Sequence, residues 1–309
     1  MSRGKTLFVS IETMGGLGNQ LFAFTAGKYI SNHLGAHLRV IQRPARKKES
    51  IHSSSLATLE TNHEIETRIS PLEKLGLLTR RLLMGLATKI GLSLDFSRRI
   101  SRIYISDKIG FDMGLTAAKA SYYISGYFQT YVYLHSLRSE GLMPPLNLKA
   151  QSQWFSRLSQ ELELANPIVM HVRRGDYLHE ANHFIGALSA EYYLGALDLI
   201  NRQGGKSVTK RPIWVFTDSP DYVKNEFLPY LGSDLNVISP PEHSDPAESM
   251  ILMSQANTIV ISNSTFSWWA AAISETSTVV APSKWFRDHN DPERLIPDAW
   301  LRTESKWLN

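Results

Sequence analysis

A chain of 309 residues with 43% hydrophobic content is long enough to bury one large core or two of ordinary size. The complete absence of cysteine excludes a disulfide framework, thiolate catalysis and Cys-ligated zinc together. The formal charge of +4 is mildly basic, and the excess collects in short runs.

The first residues lead into a strand predicted over residues 7–11, without the long apolar stretch of a secretory leader. No segment reaches the apolar length a membrane span needs, so a cytoplasmic protein is expected. A glycine-rich turn follows, Gly15-Gly16-Leu17-Gly18-Asn19-Gln20, then a helix over residues 19–33 and a strand over residues 37–41, a βαβ beginning. Glycines let backbone approach a ligand, and a helix start offers free N–H groups with partial positive charge. Gly16, Gly18 and Gln20 are therefore candidate binding residues, although the turn also serves simply to enter a helix packed through Leu21, Phe22, Phe24 and Ala26. The spacing is not G-x-G-x-x-G and lacks the acidic ribose partner, which argues against a nicotinamide cofactor.

Between residues 43 and 120 the periodicity weakens. A helical stretch is read at residues 71–86, and basic runs lie at Arg43-Pro44-Ala45-Arg46-Lys47-Lys48 and Arg98-Arg99-Ile100-Ser101-Arg102. Each run reads either as a solvated face or as a contact for the anionic inner surface of a membrane. Nucleic acid is not expected, because no aromatic residues interleave the basic ones. A strand at residues 122–125 precedes an extended segment at residues 142–148 with the pair Pro144-Pro145, read as a linker between domains 1–148 and 149–309.

Beyond residue 166, strands predicted at residues 167–172, 212–217, 236–238, 258–261 and 278–281 alternate with helices at 190–201, 221–227, 247–254 and 266–273. That alternation specifies α/β architecture with a parallel sheet. The strands lack polar alternation, as burial on both faces requires.

Three polar clusters follow predicted strands. His171-Val172-Arg173-Arg174-Gly175-Asp176-Tyr177 brings two guanidiniums, an imidazole and a carboxylate to one strand end, which suits a diphosphate. The competing reading makes the arginines loop charges paired with Asp176 and Glu180. Phe216-Thr217-Asp218-Ser219 supplies a second polar turn. Ser262-Asn263-Ser264-Thr265-Phe266-Ser267 opens a helix with more hydroxyls than capping needs, followed by Trp268 and Trp269, read as core. All three lie at carboxyl ends of predicted parallel strands, where open α/β sheets bind ligands. His179 and His183 do not make a metal ligand set, and no G-x-S-x-G elbow is present for a serine hydrolase.

The ordered set GGLGNQLFAF, GYFQTYVYL, HVRRGDY, FTDS and SNSTFSWWAA resembles the α1,2-fucosyltransferase family. The resemblance implies a GT-B fold, two Rossmann-like domains facing across a cleft. It also implies inverting, metal-independent transfer from GDP-fucose to a galactose-terminated glycan, with no cofactor. Arg173 matches the arginine expected on the diphosphate, with Arg174 supporting it and His171 and Asp176 completing the motif. Asn19 matches an asparagine expected near the phosphates. Ser264, Thr265 and Phe266, beside Asn263, match the turn expected to touch phosphate or sugar. Asp176 and Glu180 are the candidate bases, with His183 a competitor, and Asp176 alternatively orients an arginine. Ile185-Gly186 stands where the family often carries His-Gly. A different nucleotide sugar or linkage, or a non-catalytic nucleotide-sugar-binding protein, are the competing readings.

Overall fold

The computed structural model describes residues 7–42, 55–61, 65–66, 71–117, 122–204, 211–231, 235–274 and 277–308. The basic run at residues 43–48 lies outside them. The chain divides into two compact units, one of Met1–Pro145 with Pro292–Leu295, the other of Leu146–Asp291 with Ile296–Asn309.

In the first unit, β1 (Phe8–Thr13), α1 (Leu17–His33) and β2 (His37–Gln42) form the expected βαβ start. They are followed by β3 (Ile65–Glu66), α2 (Pro71–Lys89), α3 (Leu94–Ser101), β4 (Ile103–Ile105), β5 (Tyr123–Ser125) and α4 (Tyr131–Ser139). The five strands are parallel in the order β3-β2-β1-β5-β4. Leu21, Phe22, Phe24 and Ala26 of α1 are fully buried. Each of the larger three contributes on the order of 1.5–3 kcal/mol by leaving water, which anchors the helix and hence the turn before it.

The second unit runs α5 (Gln153–Ala165), β6 (Ile168–Val172), α6 (Ala190–Gly204), β7 (Ile213–Thr217), α7 (Pro220–Leu231), β8 (Leu235–Ile238), α8 (Pro246–Ser254), β9 (Thr258–Val260), α9 (Thr265–Ile273), β10 (Thr278–Pro282) and β11 (Leu301–Thr303). Its six-stranded parallel sheet has the order β11-β10-β9-β6-β7-β8. Every residue of β6 is buried, which explains why it is apolar except for His171. Trp268 and Trp269 are fully buried, as their expected core role requires. α7 outruns the predicted helix because Pro229 sits in its last turn rather than ending it. Among the described residues no helix is long and apolar enough to cross a membrane.

Candidate active site

The strand order of the second unit places its functional turns. After β6 the chain builds outward through β7 and β8, and then returns to the other side of β6 with β9. The crevice between the carboxyl ends of β6 and β9 is thus the topological switch point, where open sheets bind ligands. Pairing of β9 with β6 stops at Met170↔Val260, while β6 continues beside β7 to Val172↔Thr217. Arg173 leaves one side of that crevice and Ser262 the other.

Arg173 is held from two directions. Its Nη2 donates to Asp176 Oδ1 at 2.7 Å, and its Nη1 pairs with Asp218 Oδ2 at 3.0 Å. The guanidinium lies 5.7 Å from the Tyr177 ring centroid. Burial works against its charge, but the Asp218 and Asp176 carboxylates outweigh it and raise the pKa, so Arg173 is a permanent cation. Two of its five N–H donors are used by these carboxylates, leaving three for an anion. The ion-pair partners of Arg173 are Asp176 and Asp218, whereas Glu180 lies exposed at the start of the short turn Glu180–Asn182.

Arg174 takes a separate course. Its backbone N–H donates to Asp218 Oδ1 at 3.0 Å, while its guanidinium stacks 3.6 Å from the centroid of Tyr222 on α7. Asp218 therefore fixes both arginines, one by side chain and one by main chain. The arrangement requires a glycine between them and Asp176. A Cβ on Gly175 would stand 2.5 Å from Asp218 Oδ2.

The other wall is a chain of buried hydroxyls. His171 Nδ1 lies 2.9 Å from Ser262 Oγ, which lies 3.4 Å from Ser267 Oγ, and Ser267 Oγ donates to the Ser264 carbonyl at 3.2 Å. Ser264 caps α9 by accepting from Phe266 N at 3.3 Å, while Thr265 opens the helix and Phe266 packs 5.6 Å from the His171 ring. Burial pushes the His171 pKa far down, and Arg173 pushes it further, against a smaller opposing pull from Asp218. His171 is therefore neutral and serves as a hydrogen-bonding strut between the strand ends. Tyr177 donates to the Asn263 carbonyl at 3.2 Å, and burial raises its pKa to about 12.

Asn263 is committed elsewhere. Its Nδ2 faces the carbonyls of Ile185, Gly186 and Trp285 at 3.1, 2.9 and 3.1 Å. The amide clamps the loop after β6 to the loop after β10, work that its neighbours in sequence do not reveal. His183 pairs with Asp288 at 3.2 Å.

The glycine turn of the first unit sits at that sheet's own switch point, between β1 and β5. Gly15 adopts φ +71°, and Gly16 occupies the N-cap position of α1, so the first N–H groups of that helix receive no side-chain cap. Gly18 is buried in the first turn of α1. Gln20 Nε2 donates to the Gly15 carbonyl at 2.8 Å. Asn19 Oδ1 accepts from Gln129 Nε2 at 3.0 Å, tying the turn to the segment after β5. A buried carboxylate that the sequence reading missed, Glu12, is the penultimate residue of β1 and accepts from Ser125 Oγ at 2.8 Å and Arg81 Nη2 at 3.3 Å. Its place near the carboxyl end of a strand, three positions before Gly15, was the available signal.

A family model for glycosyl transferase family 11 matches residues 105–301, well over half of the chain. The chain belongs to that family, the α1,2-fucosyltransferases. This family 11 enzyme is 26% identical over 300 residues to an α1,2-colitosyltransferase of Escherichia coli, covering 94% of this chain and 97% of that one. It is 36% identical over 143 residues to the O-antigen biosynthesis glycosyltransferase WbnK of Escherichia coli, a match covering 45% of each chain and so under half the length of that relative. Among solved structures, the Escherichia coli ADP-heptose LPS heptosyltransferase II aligns with a TM-score of 0.51 at 13% identity, covering 96% of this chain and 90% of that one. The fold of the family 11 enzyme is accordingly of the GT-B type, an α/β fold of two Rossmann-like units. It is a glycosyltransferase.

Proposed function

We propose that this enzyme transfers L-fucose from GDP-β-L-fucose to the 2-hydroxyl of a terminal galactose on an oligosaccharide or lipid-linked glycan, with inversion and without a metal. The observation that carries this reading is Arg173, a permanent cation held by two carboxylates at the switch point, with three donors unspent. In inverting transfer the acceptor oxygen bonds to the anomeric carbon as the bond to the diphosphate breaks. The acceptor proton passes to a base, and GDP carries away the charge. Arg173 and the N-terminus of α9 supply positive potential where that charge grows. Asp176 already pairs with the Arg173 guanidinium at 2.7 Å. In this reading Asp176 acts mainly on Arg173, and Glu180, exposed on the next turn, takes the proton. Such an enzyme works in the cytoplasm or on the cytoplasmic face of the membrane, where the basic runs meet anionic lipid.

A second reading, transfer of colitose in place of fucose, is favoured by the colitosyltransferase that aligns along 94% of the chain. Incubation with GDP-fucose and with nucleotide-activated colitose, each against a panel of galactosides, separates the two. Product mass and linkage identify the sugar and the bond. An α1,2-linked fucosyl-galactose product is expected. Tight GDP binding with no turnover of any donor would mean a non-catalytic binding protein.

A further inference from the structure

The outward face of α2 carries leucine where a surface helix ordinarily carries charge. Leu77 and Met84 pack against Ile41, Ile103 and Tyr123 of the first unit's sheet, and Ala87 is buried on the same side. Arg81, also on that side, reaches Glu12. This inner stripe is what an amphipathic helix needs. The opposite side should be polar.

Instead Leu75, Leu78, Leu82 and Leu86 are exposed, Leu82 to 73%, and Ile90 continues the row at 67% just past the helix end. Their spacing of three and four residues places them in one line roughly 22 Å long, at 1.5 Å of rise per residue. α3, which packs against α2, adds exposed Phe96 and Ile100. Lys89 and Arg99, next in sequence to Ile90 and Ile100, are exposed, as is Arg102 just past the end of α3. Residues 71–102 carry seven Lys and Arg against two acids.

Composition and charge together select the occupant. Energetic centres of protein interfaces are rich in Trp, Tyr and Arg and poor in Leu. The row is made of Leu, Ile and Phe, with cations at its margin, the composition of segments that lie in the boundary between headgroups and acyl chains. We propose that α2 and α3 seat the first unit on a membrane surface bearing anionic headgroups, with the leucine row immersed and Lys89, Arg99 and Arg102 on the phosphates. The inference rests on exposure and charge and is independent of which sugar donor the enzyme uses.

Flotation of the purified full chain with vesicles of phosphatidylcholine alone, or with phosphatidylglycerol added, tests it. The wild-type chain should float with the anionic vesicles, less with the neutral ones, and less at high salt. The variant L78E/L82E/L86E should lose about tenfold or more of its vesicle affinity while its thermal midpoint stays near that of the wild type, because all three side chains already face water. The variant K89E/R99E, which leaves the apolar row intact, should lose the preference for anionic vesicles. Failure of the wild type to float with either vesicle overturns the proposal, as does a leucine variant that floats like the wild type. A dimer that the leucine substitutions dissociate, with no flotation at all, would assign the face to a second copy of the chain.

Discussion

One carboxylate oxygen of Asp218 pairs with the Arg173 guanidinium at 3.0 Å, while the other accepts from the main chain of the next residue. A side chain on β7's exit loop thereby sets both the direction and the height of the arginine on β6's exit loop. Asp218→Asn keeps the shape and removes the charge. Donor turnover should fall by about tenfold or more, with the loss divided between weaker GDP binding and lower kcat. Calorimetric GDP titration alongside steady-state rates checks this, and unchanged values for both would remove Asp218 from the positioning role.

Arg173→Ala should abolish transfer while the chain remains folded. Losing one well-placed donor to a developing charge costs about a hundred- to thousandfold in rate. Nucleotide release from GDP-fucose measures it, and activity within tenfold of wild type would contradict the diphosphate role. Because positive charge in this reading comes from side chain and helix rather than from a metal, an excess of chelator should leave the rate within about twofold.

Gly175→Ala tests the close approach. Its new methyl meets Asp218 Oδ2, so the carboxylate must retreat from Arg173 or the turn must shift. A stability loss of about 1–3 kcal/mol is expected from overpacking. The loss in kcat/KM should exceed what that destabilisation explains, and GDP affinity should fall with it. Denaturant unfolding and kinetics on the same preparation separate the two effects.

The strands that build the site were legible because β6, β7 and β9 are apolar without alternation, and the alternation of strand and helix then put three polar turns at one sheet edge. The place of Arg173 at that edge was legible because the paired arginines directly follow the apolar strand. The separate paths of Arg173 and Arg174 were not, since Asp218 and Tyr222 are more than forty residues away in sequence and only the fold brings them near. Asn263 reads as one more polar group in a hydroxyl-rich turn, and its three carbonyl partners come from two other loops. α5 was missed although Ser152 caps it, accepting from Phe155 N at 3.1 Å, because a lone serine before a mixed stretch is a weak start signal. α4 lay inside a motif read for resemblance rather than for periodicity.

Asn263→Ala should cost about 2–4 kcal/mol, since three carbonyls, two of them in buried bonds, lose their shared donor and a small cavity opens. Asn263→Asp should be worse, because it places carboxylate oxygens against carbonyl oxygens. Thermal and urea unfolding of the two variants check the order, and an aspartate variant as stable as the wild type would show that the clamp is not formed.

Acid should weaken the fold through His171. Its pKa in the folded chain is depressed by burial and by Arg173, while an unfolded histidine titrates near 6.5. Below that pH the unfolded chain binds a proton that the folded chain refuses, so stability declines as pH falls, by at most about 1.4 kcal/mol per unit. Above it this residue contributes no slope. Urea midpoints at pH 5 and pH 7.5 should differ, and the difference should shrink in His171→Gln.

The segment Pro292–Leu295 belongs to the first unit, where the Arg294 carbonyl accepts from Thr130 Oγ1 at 2.8 Å and from Tyr131 N at 2.9 Å. The start of α4 thus waits for a residue made more than 160 positions later. During synthesis the first unit must stand with that helix end incomplete until residue 294 has left the ribosome. A fragment cut at the Pro144-Pro145 link would keep the defect permanently, so completion of the first unit is tied to the synthesis of Pro292–Leu295.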